Sequence, residues 1–412
     1  MSLPNTSKHN LAAIKWLTFL MFMMFAMTTD SVGTIIPEVI KEFHLSNTAA
    51  GAFHYAPMIA IALAAIFLGY LADKLGRKKT IILGLVLFAL NSYLFAAGNT
   101  FLFFVTLLVI SGAAIGIFKT GALALVGDIS KSTSEHTATM NTVEGFFAVG
   151  AIIGPAIVTR LLASGLSWKW LYVVAGTICV LLIVTASLVQ YPKTVKTVDE
   201  PIDFRRTMGM MRNPYALGFS LGIFLYVAAE CAVYVWMPTL LTGYSGPYAF
   251  LAAYALSVFF ILRAVGRFLG TWILARFNWT SVLALFSLAI LVCFVGAIAG
   301  GLSYAVWLLP LSGLFMSMIY PTLNSKGISC FPKTEHGAVA GVILFFTCAA
   351  AALGPLAMAA VSDLFGHPKY GFVLAALFAA LLFSGLLLNW LYNPARDHLA
   401  KLDSSEYGEA ES

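Results

Sequence analysis

The sequence predicts an all-α membrane protein with twelve transmembrane helices in two pseudo-symmetric six-helix bundles. Three observations predict it. Of the 412 residues, 60% are hydrophobic and only 10% charged, at a mean hydropathy of +0.90, so lipid rather than water is the main solvent. Runs of the ~20 apolar residues that a span requires recur along the chain with short polar breaks. One long polar interruption, 192–213, divides the runs six and six.

The first run, 14–37, is too long for a signal-peptide core and carries Asp30 before Pro37, so it reads as an uncleaved first span. Spans two to six read at 50–72, 80–98, 101–127, 140–162 and 168–191. The segment 192–213 mixes charge and proline; its stretch 203–212 fits an amphipathic surface helix and a plain linker equally well. Spans seven to twelve read at 214–241, 248–275, 279–300, 303–328, 338–362 and 370–393. The expected organisation is a bundle over 1–191, a cytoplasmic loop over 192–213, a bundle over 214–396 and a disordered cytoplasmic tail over 397–412. Trp168, Trp170 and Trp279, near span ends, read as interfacial belt residues. Five cysteines lie in or beside apolar stretches with no CxxC pair, which predicts neither a disulfide framework nor a metal centre.

The net charge of +6 reports topology rather than affinity for nucleic acid. With the N-terminus inside, seventeen of the 24 Lys and Arg fall on the cytoplasmic face and only Lys41, Arg160, Lys169 and Lys369 outside. Lys119, Arg263 and Arg267 remain within spans. Both termini are therefore expected in the cytoplasm, the chain lying in a bacterial inner or plasma membrane.

A shift of 200 residues brings the halves into register. Gly154-Pro155 of span five falls on Gly354-Pro355 of span eleven, and Asp30 of span one on Glu230 of span seven. Each acid precedes a proline near the outer end of its span, Pro37 and Pro238.

Between spans two and three lies Gly69-Tyr-Leu-Ala-Asp73-Lys-Leu-Gly76-Arg77-Lys78-Lys79. Gly69 allows close helix packing, Asp73 offers a carboxylate at a helix end, and the basic run supplies ion partners. The loop resembles the cytoplasmic signature of the major facilitator superfamily, and the resemblance extends over essentially the whole chain. It implies the major facilitator fold and a gating role for Gly69, Asp73, Gly76 and Arg77, which would clamp the halves together on the inner side in one state. The second half carries a degraded equivalent around Gly266, Arg267, Gly270 and Arg276, and Arg267 is expected to position the inner loop. The Gly-Pro motif of span five lacks the later glycines of its family counterpart, and the span-four arginine is replaced at Leu108, with a cation at Lys119 instead. Spans seven and ten, FLYVAAECAVYVWMPTLL and GLFMSMIYPTLNSKGIS, look most like the fucose, galactose and glucose group of sugar:proton symporters. That likeness implies an acid in span one, an acid in span seven, and a polar-aromatic span ten built on Pro321 and Asn324.

A charge at bilayer depth costs from about 3 to above 10 kcal/mol, so each needs a partner, a proton or a water-filled cavity. Asp30 ranks first as the proton-coupling carboxylate; a structural acid bonded to a neighbouring helix is the plainer reading. Glu230, reaching the same cavity from the other half, suits substrate binding or a second proton site. Glu144 is the third coupling candidate and is expected to pair with Lys119 across adjacent helices, either as a gate or as a static pair. Arg263 shares a helix face with Arg267 and is a candidate contact for an acidic substrate. His54 suits a proton shuttle, or a satisfied polar residue near a helix end. Sugars bind through hydrogen-bonding groups beside flat aromatic faces. Tyr226, Tyr234 and Trp236 on span seven, Asn91 on span three and Tyr320 and Asn324 on span ten are the candidates, together with Lys119 and Arg263.

The expected function is proton-coupled secondary transport of a small polar solute, most simply a sugar, by alternating access about a midplane site. No Walker-type loop, cofactor loop or nucleophile-base set is present in the sequence, so neither ATP drive nor enzymatic chemistry is expected, and sodium stays open as the coupling ion. A proton-driven efflux antiporter of amphipathic compounds, an organic-anion transporter and a ligand-binding sensor without turnover are the rival readings. The expected partners are a small-molecule substrate and the lipid bilayer, without nucleic acid, and the chain is expected to be a monomer.

Overall fold

The computed structural model describes residues 8–45, 47–192, 208–241 and 244–406. These residues are almost entirely helical. The first half runs through α1 (Lys8–Thr29), α2 (Val32–Phe43), α3 (Ala52–Leu68), α4 (Leu71–Lys74), α5 (Arg77–Leu94), α6 (Phe101–Ile129), α7 (Thr133–Ala163) and α8 (Trp170–Leu188). The second runs through α9 (Pro214–Cys231), α10 (Met237–Leu241), α11 (Ala249–Leu274), α12 (Trp279–Gly300), α13 (Leu302–Met316), α14 (Ile319–Ser329), α15 (His336–Phe365), α16 (Lys369–Tyr392) and α17 (Arg396–Glu406).

Eleven described helical stretches are long and apolar enough to cross a bilayer, and the shorter apolar α3 supplies the twelfth span. Polar residues mark where they start. Thr100, Ser132, Asn213 and Asn278 each accept a backbone N–H from the first turn of α6, α7, α9 and α12, and Pro214 takes the first position of α9. Apolar side chains such as Leu102, Leu188 and Phe250 stand outward, as they must where lipid replaces water.

The pairing pattern repeats. In the first half α1 packs on α7 and α8, α6 on α3 and α5, and α5 on α8; in the second, α9 packs on α15 and α16, α13 on α11 and α12, and α12 on α16. Glycine explains one of these contacts in each half. A methyl group at Gly154 would lie 2.7 Å from Met27 Cα, and one at Gly354 would lie 3.0 Å from Ala228 Cα. Each Gly-Pro helix thus presses on the acid-bearing helix just before its acid. The halves meet where α3 packs on α15, and α7 on α11 and α14.

Three expected spans are interrupted. The first breaks at Asp30–Ser31, where the hydroxyls of Thr28 and Ser31 donate to the carbonyls of Phe25 and Met27 and compete with the helix ladder. The seventh widens into a π-helical segment, Ala232–Trp236, because Pro238 offers no N–H to the carbonyl of Tyr234. The tenth breaks at Ser317–Met318, four residues before Pro321.

Two expectations are corrected. The tail expected to be disordered from Asp397 is helical to Glu406, because Leu399 is buried and His398 Nε2 meets the Cys330 carbonyl at 2.8 Å; residues 407–412 lie outside the described ones. Trp168 is not an exposed belt residue. It is buried against Phe53, Phe95 and Phe104 and donates to Glu42 Oε2 at 3.1 Å. Trp170 does stand outward. Of the stretch 203–212, read equally as a surface helix or a linker, residues 203–207 lie outside the described ones.

Candidate functional site

Glu230 closes a buried polar cluster. Tyr226, one turn earlier on α9, reaches its Oε1 at 2.5 Å, and Arg263 Nε of α11 stands 2.9 Å from the same oxygen. The Tyr226 hydroxyl also lies 2.8 Å from the carbonyl of Met316, at the break between α13 and α14. One phenol proton therefore faces two acceptors.

Asp30, the counterpart of Glu230 in the first half, occupies the break between α1 and α2, with Thr29 Oγ1 donating to its Oδ2 at 2.7 Å. It lies within electrostatic reach of Arg263, Lys119 and Arg267. Thr29 and His54 share the lining of a cavity of about 20 Å³, room for one water. His54 Nε2 is buried without a hydrogen-bond partner among the described residues.

The expected Glu144–Lys119 pair is absent. Glu144 instead meets Arg267 of the other half, whose NH2 is 3.4 Å from Oε2 and whose NH1 donates to the Glu144 carbonyl at 2.7 Å. Lys119 Nζ stands over the rings of Phe147 and Phe22, at 4.7 and 5.8 Å from their centroids. Helical spacing had placed Glu144 and Lys119 at compatible depths, but the face each presents is set by how α6 and α7 are rotated.

Of the aromatic candidates, Tyr320 lies beside Tyr226 at 6.4 Å between centroids, and Asn324 Nδ2 approaches the Tyr320 hydroxyl at 3.5 Å. Tyr234 meets Cys231 Sγ at 2.9 Å, and Trp236 Nε1 donates to the Pro355 carbonyl at 3.3 Å. Asn91 does not join them. Its amide donates to Leu107 O and Ser111 Oγ at 2.8 and 2.7 Å, which ties α5 to α6.

A second polar assembly lies at the signature-loop end. Asp73 pairs with Arg77 and accepts the backbone N–H groups of Gly337 and Ala338 at 3.1 and 3.0 Å, thereby capping α15 of the other half. Burial pushes the Asp73 carboxyl upward, against the pull of Arg77 and those two N–H groups. Arg77 also donates to Asp128 Oδ2 and to the Lys333 carbonyl, each at 2.7 Å. Gly76 adopts φ +90, which favours glycine, and Gly69 approaches Gly341 so closely that a methyl group would lie 3.1 Å from its Cα. His136 Nδ1 meets Ser329 Oγ at 2.9 Å, and Thr137 Oγ1 meets Ser325 Oγ at 3.0 Å, again across the halves. Sequence reasoning missed Asp128, Lys333 and these hydroxyl pairs. Only Asp128 left a signal, an acid at a helix end on the same side as the basic loop.

Among the described residues, twelve apolar helical stretches in two repeated bundles, with opposed charges buried between the bundles and ion-paired contacts across one end, define a multi-pass membrane protein. The Major Facilitator Superfamily profile matches residues 18–355, and the chain belongs to that family. It is 27% identical over 409 residues to the L-fucose-proton symporter of Escherichia coli (strain K12), covering 88% of this chain and 90% of that one. It is 30% identical over 141 residues to the quinolone resistance protein NorA of Staphylococcus aureus, covering 34% of this chain and 36% of that one. Among solved structures, FucP in the outward conformation superposes with a TM-score of 0.78 at 23% identity, over 92% of this chain and 99% of that one.

Proposed function

We propose that this chain is a proton-coupled symporter of a small polar solute, a sugar, working by alternating access in a bacterial inner membrane with both termini in the cytoplasm. The observation that carries the reading is the matched pair of acids at matched helix irregularities, Asp30 and Glu230, in a chain similar over most of its length to an L-fucose-proton symporter. Interrupted helices with charged groups at the break are how many secondary carriers build a midplane site. Asp30 takes up and releases the coupling proton, Arg263 responds to its charge, and the Tyr226–Glu230 pair passes the change to α13 through Met316. Tyr320, Asn324, Tyr234 and Trp236 line the sugar path. Signature-loop contacts across the halves support a state closed at the cytoplasmic end, with the clamp acting as the inner gate.

The test is uptake into proteoliposomes under an imposed proton gradient. Asp30→Asn should abolish accumulation while leaving sugar exchange at equal concentrations. Concentrative uptake at the wild-type level in that variant would sink the assignment. The local likeness to NorA favours one rival, an efflux antiporter. Extrusion of amphipathic compounds from everted vesicles without any sugar uptake would establish that rival instead.

A further inference from the structure

A second cavity, of about 460 Å³, lies away from the acids, at the signature-loop end between the halves. It falls in the size range of small-molecule sites. Thr133, Ser134 and Thr137 at the start of α7 line one side; Asn278, Trp279 and Lys326 line the other; Asn393, Arg396 and Asp403 close it from the last helix. Lys326 is the telling residue. It is 6% exposed, its Nζ stands 5.9 Å from the Trp279 ring centroid, and no carboxylate or other acceptor reaches it within hydrogen-bonding distance among the described residues. A buried ammonium answered only by an aromatic face and by the longer-range charge of Asp403 is costly, which makes it a ready receptor for an anion. Asp403 is the one acid lining the cavity, and its Oδ1 is held by the backbone N–H of Thr133 at 3.0 Å, so a carboxylate already occupies the anion-favouring start of α7. Asn393 Oδ1 is buried without a partner, an acceptor suited to a ligand hydroxyl.

We infer that this cavity binds a phosphate-bearing ligand, whose oxyanion pairs with Lys326 and Arg396 and whose hydroxyl, on phosphorus or on an esterified polyol, donates to Asn393. Both halves line the cavity, so it exists only while this end is closed, and an anion bound there holds the carrier in that state. The bound phosphate comes either from a soluble phosphate ester or from an anionic lipid headgroup.

The experiment is equilibrium dialysis of radiolabelled inorganic phosphate against the purified full chain in detergent, with thermal unfolding in parallel. One saturable site per chain is expected, together with a rise in midpoint. Lys326→Gln should weaken binding about tenfold or more, and Arg396→Gln, at an exposed position, should weaken it too. Asp403→Asn should tighten it by removing the competing carboxylate. A second arm places the protein in nanodiscs: loss of phosphate binding in phosphatidylglycerol but not in phosphatidylcholine identifies the lipid as the source, and equal binding identifies the soluble ester. Absence of saturable phosphate binding in detergent and in phosphatidylcholine, or unchanged affinity in both Lys326→Gln and Arg396→Gln, overturns the inference.

Discussion

Arg263 and Arg267 sit one turn apart at bilayer depth, and each is answered by a carboxylate, Glu230 for the first and Glu144 for the second. Removing one partner of a buried pair leaves the other charge uncompensated, at a cost of about 3–5 kcal/mol, whereas replacing both with apolar residues is often neutral. Glu230→Gln should therefore lower the thermal unfolding midpoint sharply, and Glu230→Leu combined with Arg263→Met should restore most of it. A Glu230→Gln protein as stable as wild type would show that Arg263 draws its neutralisation from elsewhere. Tyr226→Phe, which deletes only the hydroxyl, should cost about 1 kcal/mol. The sequence made Glu230 and Tyr226 legible, because register with Asp30 and helical spacing need no knowledge of tertiary neighbours. It did not make the partners legible. Arg263 reads as a substrate contact and Glu144 as a mate for Lys119 until the rotation of α7 and α11 is known.

At the scale of elements, the spans were readable from hydropathy and their interruptions were not, although each has a local cause in Ser, Thr or Pro placement. A hydropathy window averages over Asp30–Ser31 or Ser317–Met318, where the helix is interrupted. The helix contacts between halves rest on small residues, above all Gly69 on α3's C-terminal side against Gly341 on α15. Gly341→Val should push these helices apart and favour opening at the signature-loop end. Cys330, 2% exposed and close to that end, is a native reporter. Its alkylation by a maleimide should speed up several-fold in Gly341→Val, against a Cys330→Ser background to correct for the other cysteines. Unchanged reactivity would mean that the Gly69–Gly341 approach does not hold the end shut.

For the whole molecule, closure has to be firm enough to seal and weak enough to reverse. An apolar seam of this extent would hold the halves together permanently. Instead, beside the small-residue approach of Gly69 to Gly341, polar contacts cross the halves at this end: Asp73 on the start of α15, Arg77 on the Lys333 carbonyl, His136 on Ser329 and Thr137 on Ser325. Each can exchange for water, so under the proposed alternating access the closed and open states would stay close in free energy, within reach of a bound solute or proton. Arg77 is central to this balance, because one planar guanidinium meets Asp73, Asp128 and a carbonyl of the other half at once. A basic residue needed only for membrane topology would be replaceable by lysine. An ammonium cannot reproduce the fork, so Arg77→Lys should fail as Arg77→Gln fails. Spin labels at the exposed positions 131 and 401, one in each half, should show a longer mean distance in both variants than in the parent. A parental distance in Arg77→Lys would reduce the loop to a topological signal and remove the clamp from the transport cycle.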